Sequence, residues 1–256
     1  MRFTIILLTA AAALLDVISA HGYVKTITVN GKVTNGSDPV WYYYPSNSRP
    51  QTAGWDALNQ DLGFVEPNDV ETADINCHKS ATAGKLYASA NAGDTINLAW
   101  STWPDSHKGP IINYIAACNG IDNDTGDCTT LTPGSLKWSK ITQDSIVTAS
   151  SNTWVTDTLI KNSFVSSLTI PAKLAAGNYV LRHEIIALHG GQNINDAQLY
   201  PQCINLKIGG SGTVTPTSGV AGTSLYTPTM PGVVFNIYVG ATSYTYPGPA
   251  LWTAAN

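Results

Sequence analysis

Short runs in which apolar and polar positions alternate recur along this chain of 256 residues. In the first run, 21–30, every second residue falls on the same face, so one face would carry Tyr23, Lys25, Ile27 and Val29. A period of two residues is typical of a strand, and the pair Asn30-Gly31 that ends the run predicts a tight turn. Further strands are predicted at 85–90, 94–100, 111–118, 166–170, 178–189 and 202–208, with shorter strand-like pieces at 138–140 and 154–156 and a turn of helix at 172–176.

Many short strands separated by Gly, Pro and Asn turns predict an all-β fold, a β-sandwich of the immunoglobulin-like or fibronectin-like kind with long loops. The stretch 39–63 is expected to form an extended loop that buries at least half of its five clustered rings, those of Trp41, Tyr42, Tyr43, Tyr44 and Trp55. The Gly/Ser/Thr/Pro-rich stretch 209–232 resembles a linker, but too few residues follow it for a second domain. We therefore expect a strap packed on the same domain.

The first 20 residues have the layout of a secretion signal. Arg2 supplies the positive start, residues 5–15 form the apolar core, and Ser19-Ala20 supplies small residues before a cleavage point. This apolar core is shorter than the roughly 20 residues that a membrane-spanning helix needs. We therefore expect cleavage after Ala20, a secreted extracellular product, and one β-sandwich domain over 21–256 with no appended binding module.

The composition argues against nucleic-acid binding as a function and predicts disulfide bonds. Charged residues make up only 12% of the chain and the net charge is −4, so no basic surface for nucleic acid is indicated. Four cysteines in a secreted chain predict two disulfides with three possible pairings. A local bridge between Cys118 and Cys128, which flank a Gly/Asp/Asn-rich loop, would leave Cys77 to pair with Cys203. Two triplets are predicted glycosylation acceptors, beginning at Asn35 and Asn123.

The candidate chemistry begins at His21. If the signal is cut after Ala20, His21 carries a free α-amino group and an imidazole on one residue, an arrangement that exists only at a chain terminus. Four other histidines are present, and His107 lies in the run 103–110, where proline and glycine on both sides predict a stiff loop. A ligand on a stiff loop loses less entropy when it binds a metal ion.

Two later segments add polar groups to this set. In the predicted strand 178–189, Arg182 and Glu184 share one face and can pair, while His183 and His189 share the other face. Farther along the chain, Gln198 and Tyr200 are two residues apart, so their side chains point the same way if the chain is extended.

Five of these features occur in an order that resembles a known family. They are His21 after a signal, the run 103–110, the segment 181–189, the segment 198–203 and the ending 244–249. Together they are similar to the fungal cellulose-active lytic polysaccharide monooxygenases, auxiliary activity family nine (formerly glycoside hydrolase family sixty-one). The resemblance covers essentially the whole of 21–256.

The resemblance implies one copper ion held by a "histidine brace". His21 would supply its α-amino nitrogen and a ring nitrogen, His107 a second ring nitrogen, and Tyr200 the axial position. Three nitrogens in a plane suit Cu(II), and an α-amine with a pKa near ~7.7–8.0 gives up its proton readily. His189 and Gln198 would hydrogen-bond an oxygen species and pass protons, whereas His78 and His183 match no copper-ligand position and are expected to be structural.

The implied reaction is oxidative cleavage of cellulose or a related β-1,4-glucan by hydrogen abstraction at C1 and/or C4. It needs an external electron donor and O2 or H2O2 as co-substrate, and the protein is expected to act as a monomer. The copper is expected on a flat face, where Tyr44 and Tyr244 would stack on sugar rings and Tyr43 and Tyr246 are the neighbouring alternatives.

Three other interpretations remain open from the residues alone. An endoglucanase would need a pair of carboxylates and no N-terminal histidine. A carbohydrate-binding or wall-loosening β-sandwich would bind cellulose without copper or reductant. A copper-binding protein without oxidase chemistry is disfavoured because His189, Gln198 and Tyr200 are all present.

Overall fold

The computed structural model describes residues 21–118, 126–216 and 219–256. The predicted secretion signal over 1–20 and the predicted glycosylation site at Asn123 lie outside the described residues. The strands are β1 (Val24–Val29), β2 (Lys32–Asn35), β3 (Ala88–Asn91), β4 (Thr95–Trp100), β5 (Ile111–Ala117), β6 (Lys137–Asp144), β7 (Ile146–Thr148), β8 (Thr153–Trp154), β9 (Val165–Thr169), β10 (Gly177–Ala187), β11 (Gln198–Gly209) and β12 (Val220–Ala221). The α-helices are α1 (Asp74–Cys77) and α2 (Val155–Lys161), and short 3-10 turns include Pro39–Tyr43 and Gly222–Ser224.

The strands form two main sheets, which confirms the predicted all-β sandwich. One sheet has four antiparallel strands in the order β2-β1-β4-β9. The other has six strands in the order β12-β6-β5-β10-β11-β3, and β3 pairs with β11 in the parallel sense. A small third pair joins β7 to β8.

Two apolar clusters lie on the two faces of the six-stranded sheet. The first joins the two sheets, and it includes Ile27 and Leu98 from one sheet and Leu181 and Leu206 from the other. The second cluster lies on the outer face, where loops cover Ile112 and Ile186. Strand β10 is therefore buried on both faces over most of its length, and each of its fully buried aliphatic side chains contributes roughly 1.5–3 kcal/mol.

A β-bulge in β1 redirects the chain at its N-terminal end. Val24 pairs with Trp100 and Thr26 pairs with Ala99, so Lys25 is an extra residue and points to solvent. The predicted single face with Tyr23, Lys25, Ile27 and Val29 was therefore wrong, because the bulge turns Val24 inward instead. Bulges of this kind re-aim side chains, often beside functional sites.

The predicted turn at Asn30-Gly31 is confirmed. Both residues have positive φ, 49° and 78°, and Val29 pairs directly with Lys32. This is the geometry that a two-residue hairpin with the right twist requires.

Most other predicted strands are present, with shifted ends. The predictions at 94–100, 111–118, 166–170 and 178–189 correspond to β4, β5, β9 and β10, while β3 begins only at Ala88. Strand β11 begins at Gln198, four residues earlier than predicted, and 172–176 is a turn without a helix. The piece predicted at 154–156 is wrong, because helix α2 begins at Val155, where the Asp157 carboxylate accepts the backbone N–H of Trp154.

The polar pair in β10 is buried on the outer face. The Arg182 guanidinium donates to both oxygens of Glu184 at 2.8 and 2.7 Å, as predicted, and both side chains are fully buried. The stretch after residue 209 packs over this pair, because the Tyr226 hydroxyl donates to Glu184 and Lys140 Nζ donates to the Pro247 carbonyl at 2.8 Å. The expected strap is thus packed on the same sheet.

Two disulfides cross-link the described chain. Cys77 bonds to Cys203 and Cys118 bonds to Cys128, which is the pairing that a local bridge implies. Asn35 is exposed at the end of β2, which leaves its side chain accessible. Among the described residues, the helices are all too short or too polar to cross a bilayer.

Candidate metal centre

Five of the predicted site residues come together at one end of the sandwich. His21 precedes β1, His107 lies between β4 and β5, His189 follows β10, and Gln198 and Tyr200 open β11. The centroid of the His21 ring is 5.1 Å from that of His107 and 5.5 Å from that of Tyr200. The two sheets therefore bring together residues that are up to 179 positions apart in the chain.

The segment that ends at β1 holds His21 against the loop after β4. Gly22 is buried, and a Cβ atom there would lie 2.1 Å from the Thr102 carbonyl oxygen, so only glycine fits. The Ser101 N–H donates to the Tyr23 carbonyl at 2.9 Å. This close approach places His21 beside the loop that carries His107.

The loop that carries His107 is fixed on both sides of the histidine. Trp103 Nε1 donates to the His107 carbonyl at 2.9 Å, and Lys108 Nζ contacts both oxygens of Asp157 at 2.7 and 2.8 Å. At Gly109 a Cβ atom would lie 1.8 Å from the Ile186 carbonyl oxygen, so the loop packs directly on β10. The stiffness that the proline and glycine residues predicted is thus provided by β10 and by the first turn of α2.

The three imidazoles are held in their neutral form. The pKa of His107 is lowered to about 3, mainly by burial and in addition by the charges of His189 and His21, while a hydrogen bond with Gln198 acts in the opposite direction. Burial is also the main reason that the pKa values of His21 and His189 are lowered. Their ring nitrogens therefore carry lone pairs rather than extra protons at neutral pH, which is what metal ligation requires.

Two ring nitrogens in this cluster are buried without a partner at hydrogen-bond geometry, His107 Nε2 and His189 Nδ1. Nδ1 of His107 lies 3.1 Å from Ser106 Oγ, and the Gln198 side chain is near enough to the His107 ring to raise its pKa. A buried polar atom without a partner costs about 1–3 kcal/mol, so His107 Nε2 is suited to an external ligand. Two imidazoles and a terminal amine make a nitrogen-rich set of the kind that Cu(II) favours, and the residues therefore fit copper.

The brace differs from ordinary protein metal sites. Within the described ranges, no three side chains of the His/Cys/Asp/Glu type come close enough to hold a metal ion. A copper site here depends on the main-chain nitrogen of His21, which becomes an amine only after the preceding residue is removed.

Tyr200 and Gln198 form a polar edge beside the two rings. The Tyr200 hydroxyl donates to Gln198 Oε1 at 2.6 Å, and Tyr200 is fully buried. Burial, followed by the charge of Asp61, raises the pKa of Tyr200 far above its usual range, so the phenol keeps its proton. The phenol oxygen would then be a weak neutral ligand for a metal ion.

His189 lies directly on His107. Their ring centroids are 4.0 Å apart with an interplanar angle of 29°, and His189 Nδ1 is buried without a partner.

The other two histidines have structural surroundings, as expected. His183 lies between Trp100 Nε1 at 3.0 Å and Asn113 Oδ1 at 2.6 Å, and His78 lies beside the Cys77 disulfide.

The four tyrosines considered for sugar stacking differ in exposure. Tyr44 is 44% exposed and Tyr43 is 71% exposed. Tyr244 is only partly exposed: it donates its hydroxyl to the Gly232 carbonyl at 2.6 Å, and its ring meets three other rings edge to face, those of Trp154, Phe235 and Tyr246. The stacking role of Tyr44 and Tyr244 stays a prediction.

Tyr238 is an exposed aromatic residue beside His189 that the sequence reasoning missed. It is 63% exposed, and its hydroxyl donates to the His189 carbonyl at 3.0 Å. The available signal was the group of aromatic residues that follows the linker-like stretch. Phe64, whose ring centroid lies 6.1 Å from that of His21, was also missed, and no pattern in the sequence marked it.

Comparisons with known proteins agree with this geometry. The chain matches the family model described as Auxiliary Activity family 9 (formerly GH61) over residues 21–246. It is 51% identical to AA9 family lytic polysaccharide monooxygenase F of Emericella nidulans, over 92% of each chain. The extended catalytic domain of LPMO9A from H. jecorina superposes with a TM-score of 0.84 at 43% identity, covering 92% of each chain. A cellulose-active polysaccharide monooxygenase from M. thermophila superposes with a TM-score of 0.73 at 28% identity, covering 91% of this chain and 99% of that one.

Proposed function

Because this chain belongs to Auxiliary Activity family 9, the lytic polysaccharide monooxygenases, we propose that it is a copper-dependent oxidoreductase that cleaves the β-1,4-glucan chains of cellulose. The observation that carries the proposal is the convergence of His21 and His107, with His107 Nε2 buried and lacking a protein partner. The cellulose-active relative from M. thermophila supports the choice of substrate.

Three nitrogens and one phenol would hold the copper ion. His21 would supply its terminal amine and a ring nitrogen, His107 would supply Nε2, and the Tyr200 hydroxyl would be the weak oxygen ligand. Cleavage after Ala20 is a precondition, and the match to the family model from residue 21 onward supports it. Bound copper supplies one-electron redox chemistry with O2 or H2O2 as co-substrate, which allows a C–H bond at C1 and/or C4 of the glucan to be oxidised.

The protein residues around the metal control protons and orientation. Tyr200 keeps its proton and donates a hydrogen bond to Gln198 Oε1, which fixes the orientation of the Gln198 amide. His189 is neutral and stacked on His107, so a nitrogen of its ring can hold or pass a proton beside the oxygen co-substrate. Protein dipoles held in this way need little reorganisation during the reaction.

Exposed aromatic rings near the candidate site would bind the polysaccharide. Tyr238 is tied to the His189 carbonyl, and Tyr44 is exposed on the loop after the first 3-10 turn. Rings of this kind stack on the apolar faces of sugars. Tyr244 supports the loop of Tyr238 from below, because its ring contacts Phe235.

Hydrolysis has little support in the geometry. Glu184 is fully buried and occupied by Arg182 and Tyr226, so it cannot reach a substrate. Glycosidases use a pair of accessible carboxylates about 5–9.5 Å apart. The sequence did not suggest such a pair, and the buried Glu184 cannot serve as one of its two members. A binding protein without chemistry does not account for the neutral, converging imidazoles.

The remaining properties follow from the same assignment. We propose that the protein is secreted, that it acts as a monomer of one β-sandwich domain, and that a small reductant or a redox protein supplies electrons. Asn35 and Asn123 are proposed glycosylation sites; the first is exposed.

Product analysis tests the proposal directly. The secreted protein is incubated with cellulose, copper and ascorbate, and the soluble products are examined by mass spectrometry. Lactones, aldonic acids or 4-ketoaldoses that require the reductant are expected, and they should disappear in His107→Ala. Unmodified oligosaccharides formed without reductant would instead establish hydrolysis, and the proposal would be withdrawn.

A further inference from the structure

A groove of about 210 Å³ opens beside the edge strand β2. The residues that line it come from β1, from β2 and from the segments next to them, and they include Tyr23, Lys25, Thr26, Asn35, Asp38 and Trp41. Thr26 pairs directly with Asn35 across the two strands, so their side chains lie on the same face of the sheet. The groove therefore extends from the predicted glycosylation site at Asn35 to the 3-10 turn that carries Trp41.

Asp38 fixes the side of the groove that lies opposite Asn35. Its carboxylate accepts the Tyr23 hydroxyl at 2.9 Å and the backbone N–H of Val40 at 3.0 Å. Its carbonyl accepts the N–H of Trp41 at 2.9 Å, so the turn is attached to the segment that precedes β1. Trp41 is partly exposed, which leaves part of its indole ring open to the groove.

The three residues of the acceptor triplet are present for different reasons. Gly36 runs so close to β1 that a Cβ atom would lie 1.9 Å from the Val24 carbonyl oxygen. Ser37 is 8% exposed, and its hydroxyl donates to the Asp56 carboxylate. Packing therefore requires both residues whether or not the triplet is modified. Asn35 is instead exposed in a strand, where asparagine is disfavoured, and its side chain makes no hydrogen bond within the described part of the chain.

An attached glycan accounts for Asn35, and the burial of Ser37 determines when it is attached. Transfer of a glycan to an Asn-X-Ser triplet requires access to the serine hydroxyl, which is buried in the folded chain. The glycan would therefore be in place before β1, β2 and the turn of Trp41 come together. Its first sugar is then adjacent to the groove as the groove forms.

We propose that an N-linked glycan on Asn35 packs its first N-acetylglucosamine in this groove against the Trp41 ring and thereby supports the loop that carries Tyr44. The sugar presents an apolar ring face to the indole, and its hydroxyl and N-acetyl groups can bond to the Lys25 and Asp38 side chains. Tyr44 directly follows the 3-10 turn of Trp41, so the sugar holds the loop that is proposed to bind the polysaccharide. The inference rests on the proposed secretion and is independent of the copper ion.

The first experiment asks whether the sugar is present and where it lies. The protein is secreted from a glycosylating yeast as Asn123→Gln, which leaves the triplet at Asn35 as the single acceptor. The glycan is trimmed enzymatically to the attached N-acetylglucosamine. Peptide mass spectrometry should find this sugar on Asn35, and nuclear Overhauser contacts should join it to the Trp41 indole. Secreted protein with Asn35 unmodified, or a sugar without contacts to Trp41, would overturn the inference.

The second experiment measures the support of the loop by limited proteolysis. Chymotrypsin cleaves after aromatic residues, and cleavage after Tyr42 is followed because every variant retains this residue. In the trimmed protein it should be about three- to tenfold slower than in Asn35→Gln, the effect of one aromatic contact of ordinary strength. Since a single sugar remains, shielding by the outer part of the glycan does not contribute.

A double-mutant cycle separates packing on Trp41 from simple obstruction of the protease. The protection that the sugar gives should be lost in Trp41→Leu. It should be retained in Tyr43→Leu, the matched control, which changes a neighbouring ring that is 71% exposed. Equal protection in Trp41→Leu would overturn the proposed contact. The Cu(II) spectrum should be the same with and without the sugar, so wild-type protein that binds no copper would overturn the proposed function and leave this inference intact.

Discussion

Glu184→Gln separates a structural carboxylate from a catalytic one, and the expected outcome is a large loss of stability with an intact metal site. The Glu184 carboxylate accepts two bonds from Arg182 and a third from the Tyr226 hydroxyl. Arg182 also donates to the Ile75 carbonyl at 2.8 and 3.0 Å. A glutamine amide would turn a donor toward one of these donors and leave the guanidinium without a counter-charge.

The magnitude follows from complete burial. Both side chains are 0% exposed, so solvent cannot compensate the unpaired cation. Removing one partner of such a pair costs about 3–5 kcal/mol. For a domain of 150–250 residues each kcal/mol lowers the melting temperature by roughly 2–4 °C, so we expect a decrease of about 6–20 °C. A matched control is Asp56→Asn, which weakens the partly exposed ion pair with Arg49, keeps an oxygen that can accept the Ser37 hydroxyl, and should cost less than about 1 kcal/mol.

The assay combines thermal unfolding with the electron paramagnetic resonance spectrum of the Cu(II) protein. The spectrum should be unchanged below the melting transition, because Glu184 faces the outer cluster and the copper ligands lie at the end of the sandwich. A Glu184→Gln variant that is as stable as the wild type but inactive on cellulose would contradict this reasoning. It would point to a catalytic acid and hence to hydrolysis.

Three further predictions concern the N-terminus, pH and the substrate face. An extra Met ahead of His21 converts the amine into an amide, so copper affinity measured by calorimetry should fall at least about 10–100-fold; unchanged affinity would exclude the brace. Burial lowers the pKa of His183 to about 3, so the unfolded state binds more protons than the folded state below pH 6.5. Stability should therefore fall by roughly 2–3 kcal/mol between pH 7 and 4.5, and urea unfolding of His183→Gln should show a shallower dependence than the wild type. Tyr238→Ala should weaken binding to cellulose in pull-down assays without changing the Cu(II) spectrum; equal binding would remove Tyr238 from the substrate face.

The residues that converge at the candidate metal site were largely predictable, because their local motifs resemble those of one family. His21 is marked by the signal before it, His107 by the proline and glycine residues around it, and Tyr200 by its spacing from Gln198. Each of these signals is local, and the order in which they occur resembles one family. In the structure the His21 ring centroid lies 5.1 Å from that of His107 and 5.5 Å from that of Tyr200, and His189 stacks on His107 at 4.0 Å.

The errors arose where packing overrides local pattern. Alternation in 21–30 could not reveal the extra residue at Lys25, because a bulge depends on the register with β4. The β-branched residues that open α2 favour a strand, but the helix begins there because Asp157 accepts the Trp154 N–H and pairs with Lys108. The aromatic loop was expected to bury at least half of its rings, but among these five residues only Trp55 is buried.

The sequence by itself determined the strand pattern, the all-β class, the two disulfides and the residues that converge on the metal site, because periodicity, cysteine number and short motifs are local properties. Only the tertiary structure decided which groups surround that site. Tyr238 lies beside it and is 63% exposed, Tyr244 is only partly exposed, and the Phe64 ring lies 6.1 Å from that of His21, on a loop whose Gly63 carbonyl is 3.0 Å from Nε2 of the buried His78. These neighbours are set by the stacking of two sheets and by contacts between distant segments, which alternation and spacing do not encode.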